Sequence, residues 1–224
     1  MINSGDAKKE ILNILFDKGT ITFSFDIPYV YVNGLKSPIY IDNRLLISYP
    51  KERRYVIGEL VNLIKGKSWF KDIDYISSSL SSAAPFGILV AEELGLPLVL
   101  VRDDHKVHGK HNKMEGTIPP KKNVLIVEEH ISSGASLLNN ADSLRANGDI
   151  VKHAIAISDT RLDIAKKALK RKGIEASVLI DGESILNEAI KRGMLKGKEK
   201  KEVEEWFDNP VKWGTDRGYY YNSD

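Results

Sequence analysis

The apolar positions of the chain change period several times, and each change marks an element. Over residues 6–18, Ile11, Leu12, Ile14, Leu15 and Phe16 fall at mostly helical spacing behind the cap candidates Ser4 and Asp6. The pattern predicts an amphipathic helix that Gly19 ends. Residues 21–44 then alternate β-branched and aromatic side chains around Asn33-Gly34, a pair suited to a hairpin turn, which predicts a hood of antiparallel strands over one end of the sheet. Residues 51–65 place Val56, Ile57, Leu60 and Val61 on one helical face, whose opposite side is a solvated charge surface.

The period shortens from Asp74. A strand at 74–77, a small-residue loop at 78–85, a helix at 85–94 and a strand at 98–101 make a β-α-β unit, and such units build parallel sheets. Val124, Leu125, Ile126 and Val127 form an unbroken apolar run, as expected of a strand buried on both faces. Leu137, Leu138, Ala141 and Leu144 trace a helix that Asn147-Gly148 ends. A strand at 150–158, a helix at 164–172, a strand at 174–180 and a helical segment at 184–192 follow. The fold class is therefore α/β: a parallel sheet with helices on both faces and a small N-terminal hood of antiparallel strands. Residues 1–195 read as one domain including the hood, and 196–224 as a helical, aromatic tail. In that tail Trp206, Phe207 and Trp213 are expected to dock a charged helix on the body or on a second subunit.

Composition narrows the function classes. The 224 residues carry 33 basic and 31 acidic side chains, a formal charge of +2, which gives no electrostatic footprint for nucleic acid. The absence of cysteine excludes disulfides and thiolate metal sites and fits an intracellular protein. No apolar run approaches the roughly 18 residues of a membrane helix, and the first ten residues lack the apolar stretch of a signal peptide. A cytoplasmic, soluble protein is the expectation. His105, His108 and His111 lie three apart but in a polar loop with no helix to converge them, so they are not read as metal ligands.

The chemistry concentrates in 124–136, VLIVEEHISSGAS. The acids Glu128 and Glu129 stand where an open α/β sheet presents its ligands, and are suited to sugar hydroxyls. Ser132, Ser133, Gly134, Ala135 and Ser136 then offer backbone N–H groups and hydroxyls to a phosphate at a helix N-terminus. A second long polar stretch, RDDHKVHGKHNKMEG at 102–116, separates two strands as functional loops do.

The 124–136 order resembles the phosphoribosyl-pyrophosphate (PRPP) signature of the type I phosphoribosyltransferases. GLKSPIYIDNRLLISYP at 34–50 and WFDNPVKWG in the tail resemble the orotate phosphoribosyltransferase branch. The likeness extends over about residues 8–214. It implies that Glu128 and Glu129 hold ribose hydroxyls and that 132–136 holds the 5′-phosphate. Ser81, Ser82 and Arg102 would face the diphosphate, with Lys106 and His108 serving catalysis from a flexible loop. Arg161 would bind the base. It also implies Mg²⁺ carried by PRPP with no ligand directly from the protein, a homodimer, and transfer of a phosphoribosyl group to orotate in pyrimidine biosynthesis.

Several positions depart from the family pattern. Glu129 replaces the usual aspartate, Val32 a lysine, Asp103 a lysine, serines and alanines at 78–84 the usual glycines, and Thr160 shifts Arg161 by one position. Because these gather on the diphosphate and base side, the expectation is a protein that binds PRPP or a nucleoside monophosphate with orotate transfer impaired. The alternatives are an active orotate phosphoribosyltransferase and a non-catalytic ligand-sensing regulator.

Overall fold

A computed structural model of the chain describes residues 4–31, 34–102, 113–160 and 162–219. Helix α1 (Ser4–Asp17) buries Ile11 and Leu15 on its apolar stripe, and the chain leaves it through Gly19. Ser4 and Asp6, expected as caps, lie within its first turn. The hood consists of two antiparallel pairs, β1 (Ile21–Phe23) with β4 (Ile39–Ile41) and β2 (Tyr29–Val30) with β3 (Lys36–Ser37). Of the expected turn pair, Asn33 lies outside the described residues; around it Tyr31 N–H donates to the Leu35 carbonyl at 2.9 Å, between β2 and β3. A 3-10 turn, Asn43–Ser48, capped by the Asp42 side chain, leads into α2 (Pro50–Lys65). Val56, Ile57, Leu60, Val61 and Ile64 of α2 are buried, as their spacing predicts.

The main sheet contains β5 (Tyr75–Ser79), β6 (Leu98–Val101), β7 (Met114–Glu115), β8 (Asn123–Ile131), β9 (Ile150–Asp159) and β10 (Glu175–Ile180). Their order is β10-β9-β8-β5-β6-β7, with every pairing parallel except β6 with β7. The short β7 lies inside the stretch that periodicity leaves as one polar loop. Helix α3 (Ala84–Leu94) connects β5 to β6, α4 (Ala135–Ala146) connects β8 to β9, and α5 (Asp163–Arg171) connects β9 to β10. Helix α6 (Gly182–Lys191) follows β10.

Alternation along β8 and β9 feeds two cores. Leu125, Val127, Ile155 and Ile157 pack with α1, α2, α3 and α6, while Val124, Ile126, Ala154 and Ala156 pack with α4 and α5. Burial on both faces is the physical reason these strands are continuously apolar. The chain passes from β5 out to β6 and then returns to the other side of β5 as β8. Strand order therefore reverses between β5 and β8, and open α/β sheets bind ligands at the carboxyl ends of the strands flanking such a reversal.

The tail docks on the body. Helix α7 (Gly197–Asp208) carries the pairs Lys200–Glu204 and Lys201–Glu205 at 3.7 and 3.8 Å, as its charge pattern predicts. It also buries Trp206 completely, and the indole N–H donates to the Lys36 carbonyl of the hood at 2.8 Å. After α8 (Pro210–Thr215), Arg217 is engaged by Glu202 and Glu205 and lies over the Trp213 ring, against which Tyr219 also stacks.

Candidate functional site

Strand β8 continues four residues beyond Val127, paired with β9 through Glu128↔Ala156, His130↔Ser158 and Ile131↔Asp159. The acidic pair thus stands within the strand, and the expected strand end at Val127 is corrected: main-chain pairing with β9 carries the strand to Ile131. Glu128 is buried, 2% exposed, and its Oε1 accepts the Ser79 hydroxyl at 2.6 Å. That bond joins the carboxyl ends of β5 and β8 across the reversal point. Glu129 is half-buried, but its Oε2 is enclosed and has no hydrogen-bond partner among the described residues.

Burial is the main cause that pushes the Glu129 carboxyl up to about 8. Repulsion from Glu128 and Asp42 acts in the same direction, while Arg44 and a hydrogen bond with the Asn43 main chain oppose it. The Arg44 charge is largely spent on Asp42, whose carboxylate it grips at 2.6 and 2.9 Å. Glu129 therefore holds its proton at neutral pH.

This has a consequence for stability. The folded protein keeps the Glu129 proton to about pH 8, whereas an unfolded chain releases it near its ordinary value of 4.5. Between those values the folded state binds more protons, so stability falls as pH rises from about 4.5 to 8, by on the order of 5 kcal/mol at most. Urea denaturation at pH 5.5 and 8.5 measures the decline, and Glu129→Gln should remove most of it. An unchanged pH slope in that variant would place the titration elsewhere.

The serine run needs a second correction. Ser78 and Ser79, expected in the loop, are the last two residues of β5 and are buried. Short hydroxyl side chains can occupy a buried strand when each finds a partner. Ser77 reaches Asn140 Oδ1, Ser78 the Val127 carbonyl, and Ser79 Glu128, at 2.8, 2.8 and 2.6 Å. Only the residues from Leu80 turn toward α3; Ser81 is exposed and Ser82 half-buried there.

Behind the acids, Ser132 and Ser133 are half-buried, and Gly134 adopts φ +82° as the residue before α4. A Cβ at Gly134 would meet only ordinary contacts with Ala165, so the left-handed backbone, and not space, calls for glycine. No side chain of the preceding residue caps α4, although Ala135 N–H comes within 3.4 Å of the Ser133 hydroxyl. Ala135 and Ser136 are exposed in its first turn, where N–H groups have no intrahelical acceptors and favour an anion. Arg102 pairs with Glu115 of β7, and its carbonyl accepts from Asn139 of α4 at 3.3 Å. Arg102 as a diphosphate ligand would have to exchange that carboxylate partner. Lys106, His108 and Arg161 lie outside the described residues, as do Val32 and Asp103.

The structure adds residues that periodicity did not mark. Asn43 is fully buried against Glu129 and Ser158, and the Ser158 hydroxyl meets His130 Nδ1 at 2.8 Å. Burial lowers the His130 pKa to about 4, leaving the imidazole neutral. A cavity of about 740 Å³ lies elsewhere, between α5 and the β9–β10 edge. Its lining contains neither acid of the pair, and the strand reversal is the better guide to the ligand site.

No family model matches the chain. Curated relatives do. It is 33% identical over 203 residues to the orotate phosphoribosyltransferase of Halalkalibacterium halodurans, covering 91% of this chain and 96% of the relative. It is 32% identical over 211 residues to that of Sinorhizobium medicae, covering 93% and 90%. The chain belongs to the orotate phosphoribosyltransferase family. Solved structures agree on the fold. The orotate phosphoribosyltransferase of Aeropyrum pernix superposes with a TM-score of 0.70 at 24% identity, over 83% of this chain and 99% of that one. Leishmania donovani UMP synthase gives 0.73 at 23% identity, over 88% of this chain and 41% of that longer one. The stretch 124–136 spans β8 and the start of α4.

Proposed function

We propose that the protein is an active orotate phosphoribosyltransferase, converting orotate and PRPP to orotidine 5′-phosphate and diphosphate. The observation that carries this reading is the Ser79–Glu128 bond at the strand reversal, with the Ser132–Ser136 anion site directly behind it. Relatives sharing about a third of their residues over nine-tenths of the chain are named for this activity. A structural neighbour from Mycobacterium tuberculosis, of TM-score 0.60, is an orotate phosphoribosyltransferase in complex with PRPP.

The residues divide the work. Glu128 accepts from ribose hydroxyls; Glu129, protonated, can donate as well as accept. Ser132 to Ser136 hold the 5′-phosphate on the N-terminus of α4. Ser81 and Ser82 lie on the diphosphate side, and Arg102, Lys106 and His108 steady the leaving diphosphate. Arg161 pairs with the orotate carboxylate. As the C1′–O bond breaks and the bond from C1′ to the base nitrogen forms, the protein's contribution is orientation and charge stabilisation. Among the described residues no three His, Asp or Glu side chains converge as a metal cage. Mg²⁺ bound with PRPP would neutralise the departing charge. The proposal includes a homodimer and a place in pyrimidine biosynthesis. No described helix is long and apolar enough to cross a membrane.

Impaired transfer finds no support in the described residues. Val32, Asp103 and Arg161 are outside them. The glycine-poor serine run, the remaining departure on the diphosphate side, is partly strand: Ser78 and Ser79 brace β8. A panel of bases supplied with PRPP and Mg²⁺ tests specificity. Orotate should be consumed and adenine, hypoxanthine and uracil left unchanged; preferential use of a purine would refute the assignment.

A further inference from the structure

Asn43 opens the 3-10 turn that follows the hood, yet its side chain reaches the strand carrying the acidic pair. It is completely buried, and Nδ2 donates to the Glu129 carbonyl at 2.8 Å and to the Ser158 hydroxyl at 2.7 Å. Both amide hydrogens are thus engaged, one on β8 and one on β9. The Glu129 carbonyl can only accept, so the nitrogen and not the oxygen of the amide must face it. One side-chain amide thus ties the main chain of β8 at Glu129 to the Ser158 side chain of β9. On the far side, the Ser158 hydroxyl meets Nδ1 of the half-buried His130, the residue after Glu129. Neighbouring Asp42 and Arg44 are locked to each other and surround the Glu129 carboxyl.

We propose that Asn43 is a positioning residue for the ribose-binding acids, fixing the end of β8 against β9 so that Glu128 and Glu129 present their carboxyls at a set height and angle. It touches no substrate atom. Its effect passes through Glu129 and Ser158, and it makes the 3-10 turn before α2 a structural part of the ribose subsite. The 5′-phosphate turn, Ser132 to Ser136, has no bond to Asn43, so ribose and phosphate recognition should separate when Asn43 is changed. This inference rests on the transferase reading above.

Calorimetry on the full chain tests it, with ribose 5-phosphate and inorganic phosphate as separate probes. Asn43→Ala should weaken ribose 5-phosphate by about tenfold, the equivalent of one ordinary hydrogen bond. Phosphate affinity should stay within about twofold, and kcat with PRPP and orotate should fall more than KM rises, because misplacement affects the transition state most. Ser158→Ala removes one of the two Asn43 bonds and should shift selectivity in the same direction by less. It decides the question should Asn43→Ala not fold. Parallel weakening of both probes, or no change in either, would overturn the role given to Asn43. A wild-type protein that binds no ribose 5-phosphate would overturn the transferase reading itself.

Discussion

Glu128→Gln is expected to slow PRPP-dependent turnover about 100-fold, from loss of one or two charge-assisted hydrogen bonds of about 1.5–3 kcal/mol each. The amide keeps the shape of the carboxyl and can still accept the Ser79 hydroxyl, which now reaches Oε1 at 2.6 Å. Its second terminal atom, however, is a donor where a ribose hydroxyl needs an acceptor. Because the amide matches the carboxyl in shape and keeps the Ser79 contact, the fold should survive. Steady-state kinetics against PRPP, paired with thermal melting, distinguish the effects. Turnover within about threefold of wild type, well short of the change expected from even one such bond, would remove Glu128 from the ribose subsite.

Gly87→Ala should destabilise the protein by about 2 kcal/mol or more, in the range of overpacked cores. Helix α3 lies so close on β5 that a Cβ at Gly87 would sit 1.9 Å from Ser78 Oγ and 2.7 Å from Ser78 Cβ. The hydroxyl could rotate away only by giving up its bond to the Val127 carbonyl, and the Cβ cannot move without shifting β5. Since the adjacent Ser79 holds Glu128, activity should fall together with stability. Ser78→Gly clears the space, so the double variant Gly87→Ala/Ser78→Gly should be more stable than the sum of the single changes predicts. Strict additivity in urea midpoints would show that the two residues do not clash.

Much of this organisation was legible in the sequence because it depends on period. The two-faced burial of Val124 to Val127 announced a parallel strand, and Asn33-Gly34 announced the hood turn. What periodicity missed is polar and long-range. Serines are weak strand formers, so Ser78 and Ser79 read as loop; pairing with Leu100 and Val101 of β6, and side-chain partners on β8 about 49 residues on, keep them in the strand. Glu128 and Glu129 similarly looked like a strand terminus, although pairing with β9 carries β8 to Ile131. Asn43 lay in a segment recognisable by family likeness, but its contact with Glu129 spans 86 residues and leaves no local signal. The same likeness overweighted the departures: substitutions on the catalytic side implied impaired transfer, whereas the serine run has a structural use of its own.

The most direct measurement is the loss of orotate absorbance when the purified protein is mixed with PRPP and Mg²⁺. Turnover of about 1 to 1000 per second, the ordinary enzymatic range, with orotidine 5′-phosphate as product, is the predicted result. Tight PRPP binding without detectable orotate consumption would contradict it and leave a binding protein on a transferase fold.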